Sequence, residues 1–280
     1  MAKTFFDSLN KQLATLEQLR GMDRDLRFYP GSPQGARILT AAQIEDFNQD
    51  GFIMPVRAFD RDQVLEERRY FDHLLEETLA EGSDSYSVVD PHMSDARVYD
   101  LMFEPCFVEP VRDLIGDDIV CWTTHYLCKM PGEDQQIAWH QDAFYWPLTP
   151  SKTVSIWLAI DDVDRENGCM QFASGSHRYG SIEHRLSRND EKNVLRFTVD
   201  DIESHGRVVD VELSAGHFSM HSDLLLHGSG PNPSDRRRCG MIFRYAAADV
   251  RSLLDWEKTG VLISGQDRTG RWANPPRPVD

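Results

Sequence analysis

The sequence predicts a single α+β domain, mainly β, in which helices pack outside an antiparallel β-core. Three observations carry this expectation. Helical periodicity dominates residues 38–117, and strand-like alternation dominates residues 118–250. The 280 residues are 40% hydrophobic, 10% aromatic and 27% charged, the balance of a folded globular chain and not of a disordered or collagen-like one. A chain this long buries a full core without disulfide staples.

In chain order, residues 1–37 form an N-terminal extension: a helical stretch, then the turn-rich YPGSPQGAR, where Pro and Gly break regular structure. Thr40 caps a helix over AAQIEDFNQD that Gly51 ends, and FIMPV reads as a short strand. Residues 60–81 give the clearest helix, with Val64, Leu65, Tyr70, Leu74, Leu75 and Leu79 near one face. Residues 82–96 read as a loop, and VYDLMFEPCFVEPVRDLIG as a second helix interrupted by its prolines.

The segment KTVSIWLAID alternates with period two. Val154, Ile156, Leu158 and Ile160 share one face; Thr153, Ser155, Trp157 and Ala159 share the other. Residues 178–206 are polar without a period, the signature of a lid, a binding loop or disorder. Strands resume in RVVDVEL, HFSMHSDLLLH and CGMIFRYAAA; residues 251–280 form a C-terminal tail outside the β-core, expected to be irregular from Gly265.

Thirty Lys and Arg against 46 Asp and Glu leave a net charge of −16. That field opposes a polyanion, so a nucleic-acid partner, including the substrate of a nucleic-acid demethylase, is not expected. No apolar run approaches the ~18 residues of a membrane span. The opening MAKTFFDSLNKQLATLEQLR lacks a signal-peptide pattern, Ala2 excludes N-myristoylation, and PPRPVD carries no prenylation cysteine. Cys106, Cys121, Cys128, Cys169 and Cys239 are odd in number and form no CxxC. Reduced thiols in a cytoplasmic protein are expected.

The candidate chemistry begins at His140-Gln141-Asp142. On a strand, residues i and i+2 point the same way, so the imidazole and carboxylate would converge. Together they suit a divalent transition metal such as Fe(II), although such a pair is more commonly a hydrogen-bonded structural one. A third ligand must come from elsewhere. The segment GHFSMHSDLLLHGSGPN offers His217, His221 and His227, which share parity on an unbroken strand, so spacing alone does not choose among them. His227 stands before a turn, where site residues gather. Eleven residues later, Arg238 opens the strand RCGMIFRYA. Its planar guanidinium could grip a carboxylate through two hydrogen bonds, or it could be a surface Arg in the run Arg236-Arg237-Arg238.

The ordered set, with 87 residues from His140 to His227 and eleven more to Arg238, resembles the phytanoyl-CoA dioxygenase family of Fe(II)/2-oxoglutarate-dependent oxygenases. The resemblance spans residues 38–250 and includes LTAAQIEDFNQDGFIMP, LIGDDIVCWTTHYLCKMPGEDQQIAWHQDAFYWPL, NGCMQFASGSHRYG (with Ser174 where Pro is typical) and HGSGPNPSDRRRCGMIFRY. It implies a double-stranded β-helix, a cupin-like jelly roll whose N-terminal helices buttress one sheet. It implies His140, Asp142 and His227 as the catalytic iron ligands. Arg238 and Ser229 would bind the far carboxylate of 2-oxoglutarate, Trp157 would line its pocket, and His125 falls near a position that touches it. Lys129 matches a common family Lys whose role the resemblance leaves open. The implied cofactors are Fe(II), 2-oxoglutarate and O2, and the products include succinate and CO2. Halogenating relatives carry Ala or Gly where Asp142 stands, so hydroxylation of an unactivated C–H is expected over chlorination. The same site could instead run desaturation, cyclisation or epoxidation, or the scaffold could be a catalytically silent binding protein.

Substrate contacts are read from position alone. Arg244 shares a face with Arg238 on an unbroken strand and could hold an anionic group, or it could equally be a rim Arg paired with an acid; a bulge would reverse its direction. Phe144, Tyr145 and Trp146 could wall the pocket. The acidic field argues against a CoA thioester or an acidic carrier. It favours a free small molecule, amine-containing or zwitterionic, like the substrates of bacterial family members that act on ectoine or aminophosphonates. Residues 82–97 and 178–206 are the lid candidates.

Overall fold

Two capping boxes start the fold. Thr15 with Gln18 opens α1 (Leu16–Gly21), and Thr40 with Gln43 opens α2 (Ala41–Asp50). Gly51 ends α2 at φ 88°, a left-handed conformation that glycine adopts freely. The strand β1 (Phe52–Arg57) follows, then α3 (Arg61–Ala80), capped by Asp60. After β2 (Ser87–Val89), the expected second helix is two, α4 (Ala96–Leu101) and α5 (Pro105–Ile115), because Pro105 takes a first-turn position and starts a new helix. This computed structural model describes residues 15–82 and 87–279. The first 14 residues of the expected extension, and 83–86 of the expected 82–96 loop, lie outside the described residues.

The strands continue as β3 (Ile119–Lys129), β4 (Ile137–His140), β5 (Leu148–Thr149), β6 (Thr153–Ala159) and β7 (Met170–Ser174), with the one-turn helix α6 (Asp142–Tyr145) after β4. Then come β8 (Arg185–Leu186), β9 (Phe197–Thr198), β10 (Arg207–Val211), β11 (His217–Ser222), β12 (His227–Ser229), β13 (Arg238–Ala247), β14 (Arg251–Ser252) and β15 (Val261–Ser264). The main sheet runs β1-β11-β6-β13-β3-β15, with β2 also on β3; the second runs β10-β7-β12-β4. All pairings within both sheets are antiparallel. An apolar layer containing Trp157, Phe172, Leu225 and Ile242 joins the sheets into a mainly β jelly roll.

The two faces of β6 separate as its alternation predicts. Val154, Ile156 and Leu158 join Ile44 and Phe47 of α2, Phe71 and Leu75 of α3 and Phe107 and Val111 of α5 in one core. The helices therefore cover the outer face of the main sheet, and Ser155 and Trp157 face inward onto the cavity between the sheets. On α3 the buried apolar set is Val64, Phe71 and Leu75; Leu79 is 48% exposed. Its last turn, Glu76–Ala80, carries no buried residue, so the helix outruns the surface it packs on.

Three further expectations change. Residues 217–227 are not one strand: β11 belongs to the main sheet and β12 to the second, with a turn between them. Residues 178–206 carry the hairpin β8–β9, clamped by ion pairs from Arg185 to Glu191 and Asp200. The core does not stop at residue 250. The short apolar run Val261–Ser264 adds β15 to the sheet edge, and Trp272 of the tail is 5% exposed. A Cβ on Gly260 would meet the Trp272 ring at 2.2 Å, so that glycine makes room for the tail to dock.

Candidate metal and cosubstrate site

His140 ends β4 and pairs across the second sheet with His227, the first residue of β12. Their ring centroids are 4.2 Å apart. Each Nδ1 lies 2.9 Å from the carbonyl oxygen two residues back, Ala138 for one and Leu225 for the other. A carbonyl oxygen only accepts, so each Nδ1 carries the proton and each Nε2 lone pair is left for another partner.

Asp142 does not reach this point by strand parity. The strand ends at His140, and Asp142 opens the helical turn α6. Gln141 anchors the bend: its amide donates to the Gly180 and Leu224 carbonyls, and its oxygen accepts from the Ile182 N–H. Asp142 Oδ1 then stands 3.6 Å from His140 Nε2 and 3.9 Å from His227 Nε2. Ligand atoms of the three buried residues lie within 4.8 Å of one another. Burial works against the Asp142 charge, but Arg244 and the two imidazoles outweigh it and hold the carboxyl well below the usual range. Burial and the neighbouring His140 push His227 well below its ordinary pKa. One carboxylate and two imidazoles that each present Nε2 fit a divalent transition metal such as Fe(II).

The other two histidines of the distal segment separate. His221, on β11, borders the site with Nε2 4.0 Å from Asp142 Oδ2. His217 begins that strand opposite Arg57, four residues along, and does not line the cavity.

The inner face of the main sheet is ordered in rows by strand register. Thr123, Arg244, Ser155 and His221 stand side by side on β3, β13, β6 and β11. His125, Ile242 and Trp157 form the next row, and Lys129 and Arg238 close the far end. Arg238 is not a surface residue. It is 1% exposed, with its guanidinium 4.6 Å from the centre of the Trp157 ring. Arg236 and Arg237 turn outward to Asp164 and Asp161. Gly240 makes the Trp157 position possible, because a Cβ there would meet the indole at 2.1 Å. Lys129 Nζ donates to Ser229 Oγ at 2.7 Å and to the Gly230 carbonyl. Burial, then the adjacent Arg238, push the Lys129 amine down to about 6.

The two inner rows, Arg238 and Ser229 line one cavity of about 600 Å³, with the His140–Asp142–His227 cluster on its wall and Lys129 behind it. Arg244 points into it. The chain irregularity beside it is a bulge at Trp122 on β3, which faces no residue of β13, so β13 itself runs straight from Arg238 to Arg244. Arg244 donates to His125 Nδ1 at 2.7 Å, and its Nε lies 3.8 Å from Asp142 Oδ2. Its guanidinium covers the Trp146 ring at 5.0 Å. Tyr145 and Trp146 line the cavity. Phe144 does not; it stacks on His184 at 3.8 Å. The Tyr145 hydroxyl donates to the Phe197 carbonyl at 2.7 Å, tying α6 to the 178–206 segment, whose Val194 and Leu195 also reach the cavity.

Several lining or bracing residues carry no recognisable sequence signal. Asp90, Trp122 and Trp256 line the cavity. Arg24, in the N-terminal extension, donates to the Ala143 and Trp146 carbonyls, both at 2.7 Å, and so braces α6. Gly240 does carry a signal, since a glycine inside a strand pattern marks close approach.

The family model described as phytanoyl-CoA dioxygenase (PhyH) matches residues 47–240. A probable alpha-ketoglutarate-dependent hypophosphite dioxygenase of Stutzerimonas stutzeri is 27% identical over 185 residues, 64% of this chain and 64% of that protein. The match thus spans just under two thirds of that relative's own length. Among solved structures, the non-heme monooxygenase ThoJ in its apo form has a TM-score of 0.68 at 28% identity, covering 84% of this chain and 87% of that one. The epimerase SnoN, solved with Fe3+, alpha-ketoglutarate and nogalamycin RO, shares the fold with a TM-score of 0.62 at 21% identity, covering 75% and 84%. With 47–240 matched and the two-histidine, one-carboxylate cluster in place, the chain belongs to the phytanoyl-CoA dioxygenase (PhyH) family of oxygenases that depend on iron and 2-oxoglutarate.

Proposed function

We propose that this protein hydroxylates an unactivated C–H bond of a free small molecule, with 2-oxoglutarate converted to succinate and CO2. One observation carries the reading: both histidines of the buried cluster commit Nδ1 to a backbone carbonyl, which leaves two Nε2 atoms and the Asp142 carboxylate converging. His140, Asp142 and His227 would hold Fe(II). When bound, the iron and the keto acid supply the O2 activation that oxidises the C–H bond.

The chain's own groups supply placement. Arg238, fixed over Trp157, offers a forked pair of donors for the far carboxylate of the keto acid. Ser229 Oγ accepts from Lys129, which leaves its own hydrogen to donate to that carboxylate. Trp157 and Ile242 keep water from the buried end. Arg244 lies beside the second Asp142 oxygen and keeps the carboxylate charged and oriented. His125, held by Arg244, lies between the two ends. An intact Asp142 supports hydroxylation over halide transfer. The half-buried or buried state of all five free cysteines fits a cytoplasmic location.

The test is a screen of small molecules for stimulated succinate release, followed by mass analysis of products made under 18O2. A product that gains one labelled oxygen atom supports hydroxylation. Loss of two hydrogens without oxygen, or an isomer of unchanged mass, would replace it with desaturation or epimerisation.

A further inference from the structure

The Arg244 end of the cavity holds a carboxylate that neither iron nor keto-acid binding uses. Asp90 follows β2 in the left-handed region, at φ 49°, and its N–H donates to the Thr124 carbonyl at 2.8 Å. Its Oδ1 accepts from the Thr123 hydroxyl and, at 3.4 Å, from the Thr124 N–H. Among the described residues nothing donates to Oδ2, and Asp90 lines the cavity with its side chain 28% exposed.

The Arg244 charge reaches it, but among the described residues no side-chain cation hydrogen-bonds to it. His92 Nδ1 lies 3.9 Å away, but that ring is neutral and satisfied: Nε2 donates to the Thr259 carbonyl at 3.0 Å and Nδ1 accepts from the Thr124 hydroxyl at 2.8 Å. Arg244 is engaged by His125 and Asp142. Lys258 sits at the rim, 75% exposed and paired with Asp255 at 3.3 Å. Burial raises the Asp90 carboxyl above its ordinary range, a cost that an arriving cation would relieve.

Beside Asp90 the wall is aromatic. Trp122 and Trp256 stack with centroids 5.5 Å apart, and Trp122 meets Trp146 edge to face at 4.8 Å. The Thr259 hydroxyl donates to the Trp122 carbonyl at 2.7 Å, and the Thr259 carbonyl takes His92, so the Trp256 turn and Asp90 belong to one connected wall. A carboxylate beside indole faces is the chemistry that selects an organic cation.

We propose that this end of the cavity binds a cationic group of the substrate, an ammonium held by Asp90 and packed on Trp122 and Trp256. The proposal deepens the oxygenase reading and rests on it for the chemistry after binding. Thr123, Arg244 and Ser155 are adjacent in one row, and Ser155 Oγ lies 3.4 Å from Asp142 Oδ2. Two strand spacings, roughly 10 Å, therefore separate the ammonium from the oxidising centre. The oxidised carbon would lie several bonds from the nitrogen.

The test titrates the metal-free full chain with n-hexylammonium, n-hexanol and hexanoate, read by intrinsic tryptophan fluorescence. The expected result is that hexylammonium binds roughly tenfold more tightly than hexanol, whereas hexanoate reports on the Arg238 end and its binding should not respond to Asp90→Asn. Asp90→Asn tolerates the left-handed backbone and keeps an acceptor for Thr123. It should bring the ammonium preference below about twofold with hexanol binding unchanged. Trp256→Leu, in the 3-10 turn, should lower ammonium affinity more than hexanol affinity; it serves if Asp90→Asn does not fold. The proposal is overturned if wild type shows no ammonium preference, whether all three bind alike or none binds, or if the preference survives both substitutions. Because neither iron nor keto acid is present, such a failure leaves the oxygenase reading standing, and a failure of turnover leaves this one standing.

Discussion

At the Arg238 end of the cavity the principal groups stand on strands or a strand end and are fixed by register: Arg238 and Gly240 on β13, Trp157 on β6, Lys129 on β3 and Ser229 on β12. At the Arg244 end the wall comes from a bulge residue, Trp122, a left-handed residue, Asp90, and the Trp256–Thr259 turn beyond the expected core. Arg238 is 1% exposed, whereas the Arg244 side chain is 12% exposed and the rim residue Asp255 is 84% exposed. On the proposed function, the first end would hold the keto acid and the second the substrate. Rigid register suits a cosubstrate shared across a family, and irregular backbone suits a substrate that is not.

The largest effect should fall between the two ends. His227→Ala or Asp142→Ala removes one member of a unit and should lower keto-acid-dependent turnover roughly a thousandfold or more, measured as succinate release. At the register-built end, Arg238→Leu should weaken 2-oxoglutarate binding roughly a hundredfold, about 3 kcal/mol, in anaerobic titration. Arg238→Lys should recover only part of that, since an ammonium cannot reproduce the fork. Gly240→Ala forces the Trp157 indole away from a contact at 2.1 Å. It should cost about 1–3 kcal/mol in denaturant unfolding and weaken keto-acid binding, because Trp157 underlies Arg238. On the loop-built side, Arg24→Ala strips a donor from the Ala143 and Trp146 carbonyls. It should cost about 1–2 kcal/mol, read as a lower midpoint, with Arg238-dependent binding little changed.

The same contrast sets what the sequence can disclose. The period-two run Thr153–Ala159 announces both faces of β6, since burial and alternation are local properties. The Thr40 and Gly51 caps are equally local. The cluster His140, Asp142, His227 is legible only through the family resemblance of the ordered motif set, and strand parity is an incomplete reason for its convergence. His140 and Asp142 meet because the chain bends at Gln141, not because they alternate on one strand. The choice of His227 over His221 and His217 depends on a sheet change after Ser222 that parity cannot show. Arg24, Asp90 and Trp256 reach the site through long-range packing of polar segments, where neither periodicity nor spacing carries information. The Val261–Ser264 strand is hidden because four residues are too short for a period.

Whether the cluster binds iron and the keto acid together is read from the visible charge-transfer band of the metal-free protein reconstituted with Fe(II) and 2-oxoglutarate under nitrogen. Wild type should show the band, His227→Ala should lose it, and Arg238→Leu should need much more keto acid to form it. Folded, iron-loaded wild type without the band, or a band that survives His227→Ala unchanged, would contradict that expectation.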